Sequence, residues 1–512
     1  MILADIMKRW HILKGEKTVL CTGTDEHGMK IQQAASKAKI PPKEFCDQTA
    51  ETFKALAQRV EMTNDRFIRT TDNDHREAVQ HFWRILNERG YIYESKHEGW
   101  YCVSDETFYP ESAIEKRLDP YTGRTFMASQ ETGKEVEWTS EVNYHFRLSA
   151  MKDRLLEFYE KNPEFVEPAS RMKDVVSWVS EGLEDLSVSR PVERLTWGIP
   201  VPDDPSQTIY VWLDALINYI TYAGYPWAPG KEKLGGWPAD VQVIGKDIVR
   251  FHCIYWPAFL LALNLEPPKQ VLTHAHWTLD KQKMSKSSGN SVNPFFAIDR
   301  FGLDAMRYYL AHDGGIAQDA DYANQFIVER YKKGLSGGIG NLLSRITKPK
   351  IWNVREAVDV AVSGNLISPD PATLSQIEII TNLRDVVNTK MDKLDSRGAL
   401  HAIMEVIYET NKYLHNSAPW ISARSDDPLD QRYVPRTIFH CAEAVRVAGI
   451  LLQPYIPNKA SELLDVLGVD KSRRGYDFAL FRADDSYGVP IKSPGNSRNA
   501  WESLFPPLSV ED

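Results

Sequence analysis

Thr18-Val19-Leu20-Cys21-Thr22-Gly23-Thr24 runs directly into Asp25-Glu26-His27-Gly28, and a helical stretch from Met29 to Ala38 follows. The first seven residues are largely β-branched or small apolar types that suit a strand. The next four are polar and close on glycine, as a turn does. Strand, turn and helix in that order form the unit from which parallel α/β sheets are built. The pattern recurs. Val241 to Gly245 is a β run followed by Lys246 to His252 and a long apolar helix, and Gln270 to His274 is a further strand followed by a polar loop through Asn290. Thr208 to Trp212 reads as a strand, with a helix starting near Asp214. Ligands of such sheets sit at the carboxyl ends of the strands. Asp25, Asp247 and His274 fall at those ends.

Outside this frame the character changes. Residues 43–90 read as mostly helical. Residues 99–145 are rich in Tyr, Trp, Thr and Gly, with turn signals at Asp119-Pro120 and Thr122-Gly123, and predict a small β-rich insertion. Helical patterns resume over 148–186. From about 325 the β signals fade, and 325–349, 371–395, 397–416, 430–453 and 457–467 carry amphipathic helical periodicity. A helical bundle is the natural packing of such segments. The final stretch, with several Pro, Ser and Gly, is expected to pack loosely.

The composition bounds the function. At 512 residues, 43% hydrophobic and 26% charged, the chain is neither collagen-like nor disordered, and it has length for about three domains. A net charge of -9 disfavours an overall basic nucleic-acid binder but not a local basic face. Cysteines stand at 21, 46, 102, 253 and 441 with no C-x-x-C pair, which predicts reduced thiols and no structural zinc. No apolar run reaches the ~18 residues of a membrane helix. The richest, Ile254 to Leu265, holds Pro257 and Asn264. Met1 to Trp10 lacks a signal-peptide layout and reads as an amphipathic helix with no cap before it.

The strongest chemical signal is Lys283-Met284-Ser285-Lys286-Ser287, followed by Ser288-Gly289-Asn290. Two lysines three apart in a Ser/Gly loop can bring both ammonium groups onto one anion, as a clamp on a triphosphate requires. Without context, a solvated loop is the commoner fate of two such lysines. The context is supplied by Thr24-Asp25-Glu26-His27-Gly28, Trp197-Gly198-Ile199-Pro200, Tyr210-Val211-Trp212-Leu213-Asp214-Ala215, Gly245 to His252, Asn341-Leu342-Leu343-Ser344-Arg345 and Pro419-Trp420. In this order, and over residues 1 to about 470, the set resembles the methionyl-tRNA synthetase family of class I, in its zinc-less bacterial and mitochondrial branch.

The resemblance implies a Rossmann-type catalytic domain over 1–320, incomplete at its N-terminus. Within it lie a β-rich connective insertion at 95–145 and the KMSKS loop and stem-contact region at 281–325. A helical anticodon-binding domain over 326–470 and a C-terminal tail over 471–512 complete the expected division. It implies methionine, ATP with Mg²⁺ and tRNA(Met) as substrates, no structural zinc, no membrane association, a monomer, and the mitochondrial matrix, with the cytoplasm as the alternative. Lys283 and Lys286 match the catalytic lysines. Gly245, Asp247, His274 and Lys286 match the ATP site. Asp25, Trp212, Ala215, Tyr219, Ile248, Phe251 and His252 match the methionine site. Asn341, Arg345 and Trp420 match the anticodon-reading residues, and Arg190 an active-site arginine.

These positions also make physical sense. A strand-end carboxylate at Asp25 can pair with the ammonium of an amino acid, although helix N-capping is an equally good use of it. A thioether favours aromatic edges. Trp212, Ala215 and Tyr219 share one helical face, as do Ile248, Phe251 and His252. Core packing is the better reading for either triplet alone. Gly245 permits close backbone approach, and Asp247 can accept from ribose hydroxyls. Phe326 to Val358 holds seven basic residues against two acidic ones, a candidate phosphate track. Asn341 and Arg345 lie one turn apart, and amides, guanidinium groups and aromatic faces such as Trp420 read unpaired RNA bases.

The chain departs from the family in one respect. The first class I signature, H-x-G-H, is not found in it. A strand carrying that signature is expected to precede Met1, and its neighbours in the sheet are expected to lack a partner along one edge. A non-catalytic tRNA-binding protein, keeping Asn341, Arg345 and Trp420, is the competing reading. Cys102 stands alone where zinc-bearing relatives have a pair, and one thiolate cannot build a tetrahedral site.

Overall fold

The computed structural model describes residues 1–105, 107–119, 122–228, 230–284, 290–491 and 504–508, with the backbone only at His97, Thr107 and Lys283. The chain forms two compact units. One comprises Cys21–Gln58 and Asn64–His274, the other Met1–Leu20, Arg59–Thr63 and Ala275–Asp512.

The first unit is α/β. Its principal strands are β1 (Cys21–Thr24), β2 (Arg66–Arg69), β3 (Ile92–Cys102), β4 (Glu137–Phe146), β5 (Val166–Glu167), β6 (Val241–Gly245) and β7 (Gln270–His274). β1 pairs in parallel with β2, and β6 with β7, which pairs in turn with β5. Among the described residues the parallel ladder thus falls into two pieces, with β1 and β6 each at an edge. β3 and β4 form a long antiparallel ribbon, Ile92↔Phe146 to Tyr101↔Glu137, which is the β-rich insertion. Its tip is organised by Asp105, which accepts hydrogen bonds from Tyr109 (3.0 Å), Thr132 (2.6 Å) and the Cys102 thiol (3.2 Å), and pairs with Lys134.

Local pattern and structure agree at Met29–Ala38, Val241–Gly245 and Gln270–His274. They differ at two places. Residues 43–90 are mostly helical as expected, but β2 interrupts them between helices Pro42–Arg59 and Asn73–Glu88, because Arg66–Arg69 is drawn into the ladder with β1. The strand expected to reach Trp212 ends at Ile209, and the helix runs Val211–Tyr222. The β-type run Tyr210-Val211-Trp212 bends because Tyr210 becomes the helix N-cap, its carbonyl accepting from the Asp214 N–H at 3.1 Å.

In the second unit, helix Ile2–Leu13 packs beside helix Leu303–Asp313. Buried Asp5 and Arg307 pair at 2.7 Å, and Arg307 also donates to the carbonyls of Tyr455 (3.0 Å) and Pro454 (2.9 Å). Helices Pro371–Asp392, Ser396–Ser417 and Tyr433–Leu452 pack on one another as a bundle. Helix Tyr433–Leu452 starts exposed at Tyr433 and is buried all round from Arg436 onward. Of its three charged residues, Glu443 and Arg446 satisfy each other at 2.7 and 2.9 Å, and Arg436 pairs with Asp370 at 2.7 Å. The segment read as one helix over 325–349 is α-helix Asn324–Arg330, a wider π-helical turn over Tyr331–Gly340, and α-helix Asn341–Thr347. The C-terminal end does not pack loosely at Phe505: that ring is buried, 6.1 Å from Tyr331, whose hydroxyl donates to the Pro506 carbonyl at 2.7 Å. Among the described residues no helix is long and apolar enough to cross a membrane.

Candidate active site and RNA-reading surface

The turn after β1 is held residue by residue. Buried Glu26 accepts from Thr24 (2.7 Å) and Thr71 (2.6 Å) and forms a two-pronged bond with Arg69 at 2.7 and 2.9 Å. Its carbonyl accepts from the Trp197 indole at 2.6 Å. Buried His27 meets Asp214 through Nδ1 at 2.6 Å. Gly28 adopts φ 102°, which excludes a side chain at low cost, and is the N-cap of helix Met29–Ala38. Asp25 is therefore not the helix cap. It is exposed, between buried Glu26 on one side and the partly exposed β1 ladder on the other.

Asp214 lies in the first turn of helix Val211–Tyr222, fully buried, between His27 and His75, whose Nε2 is 2.7 Å away. Burial by itself raises a carboxyl group's pKa, but the two imidazoles hold this one below the usual carboxylate range. Sequence reasoning assigned no role to Asp214 or His75. A charged residue inside an apolar helical run was the available signal for the first, and nothing local marks the second.

The same helix carries Trp212, buried Ala215 and Tyr219. Trp212 and Phe251 stack with ring centroids 3.8 Å apart and planes inclined by 15°. Tyr219 Oη is 2.8 Å from Nε2 of His252, whose Nδ1 is 3.0 Å from the Ile248 carbonyl. A carbonyl only accepts, so Nδ1 carries the proton and Nε2 accepts from the tyrosine. Burial pushes the His252 pKa down to about 4 and raises that of Tyr219. Both groups are neutral at physiological pH. The structure thus brings Trp212, Tyr219, Ile248, Phe251 and His252 together in a neutral, aromatic arrangement that suits an apolar, polarisable side chain.

At the strand ends, Gly245 of β6 is in register with His274 of β7. A Cβ on Gly245 would stand 2.7 Å from Asp247 Oδ1 and 3.9 Å from His274 Cε1. Gly245, Asp247 and His274 thus form one group, and glycine is what leaves room for it. Arg190 is buried rather than on the surface: Nη1 donates to Ser187 (2.9 Å) and to the Ser189 carbonyl (2.6 Å), among the rings of Tyr101, Phe108 and Tyr210.

The KMSKS motif begins at the last residue of the hairpin Trp277–Leu279 and Gln282–Lys283, whose turn residues Asp280 and Lys281 have φ 51° and 62°. Asp321 pins the turn, accepting from Thr278 Oγ1 at 2.7 Å and the Lys281 N–H at 3.0 Å. Lys286 and the Lys283 side chain lie outside the described residues.

In the second unit, the Arg345 guanidinium lies 5.4 Å above the Trp420 ring, and Asn341, one turn before Arg345, meets Asn411 at 3.3 Å. The phosphate track expected over 326–358 is reduced: Arg330 pairs with Asp313, Lys333 with Glu329 and Arg355 with Asp359. Cys102 is engaged with Asp105, and burial pushes its thiol up to about 11. Among the described residues no three potential ligands gather to hold a metal.

A family model for tRNA synthetases class I (M) matches residues 1–347, and one for the anticodon binding domain of methionyl tRNA ligase matches residues 367–496. The chain belongs to the class I methionyl-tRNA synthetases. A probable mitochondrial methionine–tRNA ligase of Neurospora crassa is 54% identical across 100% of this chain and 82% of its own length. The human mitochondrial methionine–tRNA ligase is 40% identical over 96% of this chain and 84% of its own. The Mycobacterium tuberculosis methionyl-tRNA synthetase, in a crystal structure bound by methionyl-adenylate, superposes with a TM-score of 0.86 at 35% identity, covering 99% of this chain and 95% of that one. This synthetase is a methionine–tRNA ligase of the mitochondrion, with a parallel-sheet catalytic part, a β insertion and a helical anticodon-binding part.

Proposed function

We propose that Asp25, Trp212, Ala215, Tyr219, Ile248, Phe251 and His252 bind methionine, and that Gly245, Asp247 and His274 bind ATP. The observation that carries this reading is the Trp212–Phe251 stack beside the neutral Tyr219–His252 pair. A thioether needs aromatic contact and no counter-charge, and a neutral pocket penalises a charged side chain. Asp25, exposed on its anchored turn, pairs with the substrate ammonium.

The reaction runs in two displacements. A methionine carboxylate oxygen attacks the α-phosphorus of ATP. The bond to the bridging oxygen breaks, and pyrophosphate leaves with the electron pair. A ribose hydroxyl of the terminal adenosine of the tRNA then loses its proton as it attacks the carbonyl carbon, and AMP leaves. Lys283 and Lys286 neutralise the charge that grows on the pyrophosphate, and Mg²⁺ enters with ATP as part of that substrate. The solved relative's bound methionyl-adenylate is the intermediate of this scheme and supports it. Structural zinc has no place in it, since the Cys102 thiol is engaged by Asp105.

Asn341, Arg345 and Trp420 read the anticodon of tRNA(Met). The guanidinium stacked over Trp420 supports this, because a planar cation held on an aromatic face leaves its edge for a base. Residues 1–320 act in catalysis, 95–145 as connective insertion, 281–325 as the KMSKS and stem-contact region, 326–470 as the anticodon-binding domain and 471–512 as the tail. The protein works as a monomer in the mitochondrial matrix, a location that the mitochondrial relatives support.

Methionine-dependent ATP–pyrophosphate exchange tests the pocket. Trp212→Ala is expected to raise KM for methionine by about tenfold or more, the loss of an aromatic contact of 1–2 kcal/mol, with KM for ATP little changed. An unchanged KM for methionine sinks the pocket assignment.

A further inference from the structure

Asn411 stands in helix Ser396–Ser417, half-buried against the π-helical turn Tyr331–Gly340. Its Nδ2 is 3.2 Å from the Gly338 carbonyl and 3.1 Å from the Ile407 carbonyl. Both are pure acceptors, so the Asn411 amide has one possible orientation: NH₂ toward the two carbonyls and Oδ1 away from them. That Oδ1 faces Asn341 at 3.3 Å. An amide oxygen only accepts, so the Asn341 group facing it must be the NH₂. The carbonyl oxygen of Asn341 is therefore turned away from Asn411. The orientation of an asparagine that surface residues usually leave free is here inherited, through two steps, from backbone carbonyls.

Gly338 itself sits tightly in its own helical turn. A Cβ at Gly338 would stand 3.0 Å from the Lys333 carbonyl and 3.8 and 3.9 Å from Met404 and Ile407. The tight contact is thus within its own segment, while Met404 and Ile407 of the helix bearing Asn411 lie at ordinary contact distance.

We propose that Asn411 is a positioning residue that sets the hydrogen-bonding polarity of Asn341, so that this surface selects a base bearing an amino group at pyrimidine C4 or purine C6. The inference rests on the reading of Asn341, Arg345 and Trp420 as the anticodon site. An outward acceptor on Asn341 accepts from the amino group of cytosine or adenine. It opposes the carbonyl that uracil or guanine presents at the same place. Arg345, a donor only, stands one turn on and suits the ring acceptor beside that amino group.

The test reads equilibrium binding of the full chain to tRNA transcripts, independently of turnover. One transcript carries the methionine anticodon CAU, one has its cytosine replaced by uracil (UAU), and one has its adenine replaced by guanine (CGU). The unsubstituted protein is expected to prefer CAU over at least one keto-bearing transcript by about tenfold or more. Asn411→Leu, which cannot hold the amide, is expected to shrink that ratio to within about threefold while its melting temperature shows the chain folded. Asn411→Asp, which still offers Asn341 an acceptor, is expected to keep more of the preference than the leucine variant. A folded Asn411→Leu protein with the full preference overturns the proposal, as does an aspartate variant no better than leucine. Asn341→Ala and Arg345→Ala separate the two levels. If neither weakens CAU binding, the anticodon reading itself fails. If they weaken it and Asn411→Leu leaves the ratio intact, only the positioning role fails.

Discussion

His27 and Asp214 are joined by a 2.6 Å hydrogen bond that closes a gap of 187 residues in the chain. It ties the turn presenting Asp25 to the helix presenting Trp212, Ala215 and Tyr219. His75 completes the bridge from the other carboxylate oxygen at 2.7 Å. Asp214 touches no substrate in the proposed scheme; it ties together the two elements to which that scheme assigns methionine binding.

Asp214→Asn is therefore expected to act on both stability and binding. Removing the charge from a buried, doubly paired carboxylate costs about 3–5 kcal/mol. Thermal unfolding should fall by several degrees. KM for methionine, read by ATP–pyrophosphate exchange on the protein that remains folded, should rise more than KM for ATP. Equal changes in both, or none, would deny the bridge its positioning role.

Gly245→Ala places a methyl group 2.7 Å from Asp247 Oδ1, so the carboxylate must move. Misplacement of about 1 Å in a binding group can cost up to 10²-fold. The expected outcome is a rise of about tenfold in KM for ATP with KM for methionine unchanged. An unchanged KM for ATP would argue against nucleotide binding by this turn.

The buried histidines make stability fall with acid. Burial depresses His252 and His440 to about 4, against an unfolded value of about 6.5. Below pH 6.5 the unfolded chain binds protons that the folded chain refuses, so the free energy of unfolding declines as pH drops toward 4. Each group contributes up to about 3 kcal/mol across that window and almost nothing to the slope above it. Melting temperature measured from pH 7.5 to 5 should decline below pH 6.5, and His440→Leu should flatten the decline. A melting temperature that does not move between pH 7 and 5 contradicts this account.

Asp5 and Arg307, both fully buried, hold the N-terminal helix to the bundle, with Thr63 bonding Asp5 through N–H and hydroxyl at 2.7 Å each. Asp5→Ala leaves the guanidinium buried without its carboxylate and should cost about 3–5 kcal/mol. The paired change Asp5→Leu with Arg307→Met should recover much of that loss, since an apolar pair removes both desolvation penalties. Urea unfolding of the three proteins checks the order; a double variant less stable than Asp5→Ala would contradict it.

Much of the fold was legible in residue order. Met29–Ala38, Val241–Gly245 and Gln270–His274 have the bounds that pattern alone predicts, because periodicity and turn chemistry are local. Arg66–Arg69 was missed because four residues carry little periodic signal, and only the ladder with β1 makes them a strand. The helix starts at Val211 against its β-type residues because tertiary context overrides weak local preference. For the site, the spacing of Trp212, Ala215 and Tyr219 announces a shared face, but not that Phe251 lies on it at 3.8 Å.

The order of elements, the helical faces and the presence of a carboxylate, a glycine and an aromatic at the decisive positions are all properties of neighbouring residues, readable along the chain. Which partner each side chain meets was decided only by tertiary structure. Asp214 meets a histidine 139 residues away, and Asn341 takes its orientation from an amide 70 residues along the chain. The reason is physical: a hydrogen bond between distant residues exists only after folding has brought them together, and no local preference encodes its direction.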